Sequence, residues 1–123
     1  MGSASLELVI PASTLKASSP PVQSKLYLSN VKILGVYFQF PSGCVYLAEV
    51  QLIISEGNNS SQSLVPSMSK GNGNALDYIA FDGATGLFLP INRSVKGNQL
   101  LVANGWNEDT ANQHWIKILL TLE

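Results

Sequence analysis

Residues 104–115 read NGWNEDTANQHW, gathering two tryptophans, two acids, three asparagines and the sole histidine into one short stretch. Such residues offer three chemistries. Asn107, Glu108, Asp109 and Asn112 carry the oxygen donors that calcium takes. Their spacing departs from the calcium-loop pattern D-x-[DN]-x-[DN]-G-x5-E, so no calcium loop is expected. Zinc needs further nitrogen or sulfur ligands, and His114 and Cys44 are the only histidine and cysteine. A Ser-His-Asp arrangement could draw on His114, Asp109 and the many serines, but the chain has no G-x-S-x-G elbow, and a lone histidine beside a core strand usually has a structural role. Glu49, Asp77 and Asp82 show no spacing that singles out a glycosidase pair. No glycine-rich phosphate loop occurs either. No catalytic, cofactor-binding or metal-ligating residue is therefore expected.

The third chemistry is sugar binding. Trp106 would offer an aromatic face, with Asn107, Glu108 and Asp109 as hydrogen-bonding neighbours. The competing reading has Trp106 covering the end of one strand and Trp115 opening the next. That reading, a hairpin-type connection between the last two strands, is the favoured one. The elements on either side support it, because apolar residues alternate rather than recur at helical spacing.

Leu6, Leu8 and Ile10 share one face, as do Ala48, Val50, Leu52 and Ile54 with Tyr46 before them. Ile116, Ile118, Leu120 and Leu122 form a third such row. In VKILGVYFQFP, alternation puts Leu34, Val36, Phe38 and Phe40 on one side and Ile33, Tyr37 and Gln39 on the other. Period-two patterns describe half-buried antiparallel strands. Strands are predicted at 5–10, 26–30, 31–40, 45–55, 63–66, 75–81, 86–91, 99–106 and 114–122, the second and third either separate or continuous. Turn signals fall at Pro41-Ser42-Gly43, Gly57-Asn58-Asn59, 71–74, Asp82-Gly83, Gly97-Asn98 and Asn104-Gly105. Many short strands without a helix read as one antiparallel β-sandwich, a jelly roll before an immunoglobulin-like one. Residues 1–25 make an N-terminal strand and a Pro/Ser-rich arm or connection, and 26–123 the body of a single domain.

Length and composition narrow the function. A chain of 123 residues has room for one well-formed core. Only 12% of residues are charged, against about 25% in typical globular domains. The formal charge of −1 leaves no basic excess to neutralise phosphates, so nucleic-acid binding is not expected. No apolar window is long enough to span a membrane as a helix, and no signal-peptide pattern opens the chain. A lone Cys44 forms no internal disulfide and reads as a small buried hydrophobe. A surface so poor in charge is expected to be covered by partner subunits. Candidate contacts are Leu15, Pro20 and Pro21 in the arm, and the loops at 57–63 and 68–74. Leu87, Phe88 and Leu89 are further candidates, because three successive large apolar residues cannot all face one core.

Three segments, YFQFPSGCVYLAEVQL (37–52), ALDYIAFDG (75–83) and LLVANGWNEDTANQHWIKILLTL (100–122), carry a resemblance. A strand ending in F-P-x-G-C, then W-N and a nearby histidine before the last strand, resembles small single-jelly-roll structural proteins of tailed phages and related prokaryotic viruses. The resemblance spans roughly the last two-thirds of the chain and includes no catalytic motif. It implies a capsid decoration or minor capsid subunit, made in the host cytoplasm and resident in the virion. Its partners would be copies of itself, in a trimer or other closed oligomer, and a major capsid or other virion protein. A carbohydrate-binding or host-recognition module, with a glycan held at Trp106, is the alternative.

Overall fold

The computed structural model describes residues 2–15, 17–40, 48–55, 61–63, 78–80 and 87–123. Those residues form seven strands and no helix. They are β1 (Gly2–Ile10), β2 (Val22–Gln39), β3 (Ala48–Ser55), β4 (Ser61–Ser63), β5 (Tyr78–Ala80), β6 (Leu87–Asn107) and β7 (His114–Leu122). Every pairing is antiparallel, in the order β1-β7-β2-β6-β3-β4, with β5 also on β3. The fold is thus all-β, a single antiparallel sheet. Cys44, Tyr46, Asp77, Asp82, the turns at 41–43, 71–74 and 82–83, and most of the loops at 57–63 and 68–74 lie outside the described residues.

Two long strands shape the sheet. β2 and β6 pair from Val22↔Gly105 to Phe38↔Leu87, with a register shift between Ser29 and Val31. At that shift Asn30 (φ 51°) and Gly97 (φ 68°) both take left-handed backbone, and the Gly97 N–H donates to Asn30 Oδ1 at 2.9 Å. Extra residues on both strands make a β-bulge, which bends the pair and sharpens its twist. The bend separates two leaves. In one, β1, β7, residues 33–39 of β2 and residues 87–93 of β6 lie side by side. In the other, residues 22–29 of β2 pair with residues 98–105 of β6, which pair in turn with β3.

The leaves share one core. Leu6, Leu8 and Ile10 of β1 meet Ile116, Ile118 and Leu120 of β7, Val36 and Phe38 of β2, and Val50, Leu52 and Ile54 of β3 in a single buried cluster. The approach across it is closest at Gly105, where an added Cβ would lie 2.6 Å from Ile10 Cδ1 and 3.1 Å from Leu8 Cδ1. A sheet bent over its own core in this way is consistent with a β-sandwich.

Several expectations are corrected. Gly97-Asn98 is not a turn between two strands but the bulge inside β6, so the predicted strands at 86–91 and 99–106 are one. Asn104-Gly105 lies within β6 as well; the glycine is there because the opposite leaf leaves no room for a side chain. Ile33 is buried and Leu34 only half-buried, the reverse of simple alternation. A second bulge between Ile33 and Gly35 shifts the phase, so that Ile33 and Val36 both reach the core. Residues 22–25 belong to β2, and β1 is paired along its whole length with β7. A boundary at residue 25 therefore cuts through a strand.

Candidate functional site

The polar stretch begins where β6 ends. Asn107, fully buried, is the hub of the connection that follows. Its Oδ1 accepts the Asp109 N–H at 2.9 Å. Its Nδ2 donates to the carbonyls of Asn112 (2.9 Å), Ile10 (3.3 Å) and Pro11 (3.4 Å). The Asn107 N–H donates to the Thr14 carbonyl at 2.8 Å, and the Ser13 N–H to the Asp109 carbonyl at 2.8 Å. Asn and Asp side chains readily close turns on nearby backbone. Here they also tie the 11–15 segment, which follows β1, to the start of the last connection.

Asp109 is the second hub. Its Oδ1 accepts the N–H groups of Ala111 (2.9 Å) and Asn112 (3.2 Å), and its Oδ2 accepts His114 Nε2 (2.9 Å) and Asn112 Nδ2 (3.4 Å). The Ala111 N–H, then the His114 ring, hold its pKa down from 3.8 to about 2. A carboxylate that stays ionised can only accept, so His114 Nε2 carries the proton it donates. Four donors occupy the two oxygens, and His114 is itself buried. This geometry serves to hold a loop. Among the described residues no group of three or more His, Cys, Asp or Glu side chains is placed to hold a metal ion.

The four residues of the sugar-binding expectation are divided by the strand they sit on. Trp106 and Asn107 are adjacent in β6 and point to opposite faces, Asn107 inward. Glu108 and Asp109 are half-buried in the connection. Trp106, half-buried, lies opposite Glu49 of β3 on the outer face of its leaf. Two residues along the strand, Asn104 accepts Gln23 Nε2 at 2.8 Å and donates to Gln51 Oε1 at 3.1 Å, forming an amide row across three strands. Those three amides, rather than Asn107 and Asp109, share the face of Trp106.

The interface candidates divide as well. The Leu15 carbonyl accepts the N–H groups of Ser18 and Ser19, closing a turn with its side chain half-buried. Pro20 is exposed and Pro21 half-buried. Phe88 points outward and Leu89 packs against the core, as alternation along a strand requires; the Leu87 side chain lies outside the described residues. Phe88 has company that the sequence reading missed. Val9 and Trp115 are direct cross-strand neighbours on the same outer face, and Phe88 lies opposite Tyr37, which lies opposite Leu119. Exposure is 49% for Val9, 57% for Trp115 and 54% for Phe88, all large for apolar side chains. Their signal was present: Val9 and Trp115 are out of phase with the core rows of their own strands.

No family model matches the chain, and no curated protein matches it.

Proposed function

We propose that the chain is a non-enzymatic structural protein of a viral particle, a capsid decoration or minor capsid subunit of the single-jelly-roll type. On this reading it works by burying apolar and neutral-polar surface against copies of itself and against a shell protein. The observation that carries the reading is the outer face of the β1–β7 leaf, where Val9, Trp115 and Phe88 lie exposed. Val9 and Trp115 are paired neighbours there, and exposed apolar side chains that gather on one face mark contact sites more often than singly scattered ones do. The low charged fraction, 12%, points the same way.

Two measurements test it. Light scattering at micromolar concentration should give a closed oligomer, and a monomer at all concentrations overturns self-assembly. Particles banded on a density gradient from the producing culture should carry the chain in fixed ratio to the shell protein. Recovery only at the top of the gradient removes the virion role.

The amide row Gln23–Asn104–Gln51 beside Trp106 favours a second reading, a carbohydrate-binding or host-recognition face. Planar amides next to an indole suit sugar hydroxyls and a sugar's apolar face. Under it, Trp106→Ala abolishes glycan binding and leaves the denaturation midpoint in place. A lower midpoint with no glycan bound by the parent chain assigns Trp106 to packing.

A further inference from the structure

A sheet edge offers a row of unpaired backbone groups, and natural edges are usually blunted by lysine, proline or a bulge. Among the described residues the edges without a strand partner include residues 22–29 of β2, residues 87–95 of β6, and β1; β4 and β5 are open on one side too, but at three residues each they are blunted by their shortness. The first carries Lys25 and ends at the Asn30 bulge; the second carries Pro90 and Arg93. β1 carries none of these devices. It pairs with β7 over nine consecutive positions without a register shift, and its one charge, Glu7, lies directly opposite Lys117. Gly2, Ser3, Ser5, Glu7 and Val9 are all exposed.

We infer that β1 is the self-assembly edge: two copies pair antiparallel through β1 about a two-fold axis, extending the β1–β7 leaf into one sheet across the dimer. This rests on the self-assembly proposed above and names its contact. The side chains set the register. Small residues fill the first half of β1 (Gly2, Ser3, Ala4, Ser5) and large ones the second (Glu7, Leu8, Val9, Ile10). Centring the axis on Leu6 sets every small residue against a large one: Gly2 against Ile10, Ser3 against Val9, Ala4 against Leu8 and Ser5 against Glu7. Each Glu7 then faces a serine instead of its own copy, and both leaves keep their core and outer faces aligned. Val9 and Trp115 come to lie beside the junction on the outer face.

The register predicts distances. Strand spacing and rise place the two Ser5 Cα atoms about 8 Å apart, the two Glu7 Cα atoms likewise, and the two Ser3 Cα atoms about 21 Å apart. The test uses the full chain with Cys44→Ser, a single Ser3→Cys, Ser5→Cys or Glu7→Cys substitution, and a nitroxide label, read by dipolar broadening beside the solution mass. A dimer whose spectra broaden strongly at positions 5 and 7 and little at 3 is the expected result. An oligomer with no broadening at 5 and 7, or equal broadening at all three, overturns β1 pairing and leaves self-assembly standing. A monomer for the unlabelled parent overturns both.

Discussion

Asp109 ties its own acid sensitivity to the last connection. Its folded pKa, about 2, lies below its ordinary 3.8. As pH falls the unfolded chain takes up the proton first, so the stabilisation is complete above about pH 4 and is lost toward pH 2. The urea midpoint of Asp109→Asn should therefore fall less steeply over that window than the parent's; parallel curves would show that the carboxylate does not stabilise the fold. Asn107→Ala removes the hub itself, with its buried bond to the Ile10 carbonyl and its part-buried bonds to the Pro11 and Asn112 carbonyls and the Asp109 N–H. A loss of roughly 3 kcal/mol is expected in chemical denaturation. At this scale the 107–114 stretch was legible as a connection but not as a hairpin, since β6 and β7 do not pair and β2 lies between them in the sheet. Adjacent strand residues face opposite ways, and that alternation already separates Trp106 from Asn107.

At the scale of elements, the legible strands were those whose apolar phase is unbroken. β3 and β7 carry one core row each, and the rows of β1 and β7 fall on the core face as the pattern requires. β2 and β6 were harder because each changes phase at a bulge. Glycine and asparagine serve bulges and turns through the same positive φ, so Gly97-Asn98 gives one signal for two structures. Gly97→Ala should lower stability by about 1 kcal/mol through its backbone alone. Gly105→Ala acts through packing, and roughly 1–3 kcal/mol is expected because fully buried Ile10 has little room to move. Ile10→Val deletes the Cδ1 that an added methyl would strike. The double variant should then be more stable than the two single losses predict; strict additivity would mean the contact is relieved elsewhere.

For the whole molecule, an association through backbone edges, whose charges are the two Glu7 side chains each set opposite Lys117 of its own chain, should be nearly indifferent to salt. Raising ionic strength from about 0.1 to 1 M shortens the screening length from about 10 Å to 3 Å and weakens exposed ion pairs. The solution mass is expected to hold across that range. Dissociation by salt would instead assign the contact to charges such as Glu7 and Lys117. Why the open edge of β1 escaped the linear pattern has a plain cause: β1 reads the same whether its second edge is paired or open, and only the sheet order reveals which.

The pairing of β1 with β7 bears also on how fast the chain folds. Gly2 lies opposite Leu122 and Ile10 opposite His114, so the contacts that cover Leu6, Leu8 and Ile10 join the most distant parts of the sequence. Closing that loop exacts its entropy before any pairing stabilises it. Refolding should accordingly fall in the slow range of β-rich domains, milliseconds to seconds. Until β7 arrives, the apolar row of β1 stays in water, and dilution will decide whether the chain finds its own last strand or a neighbour's.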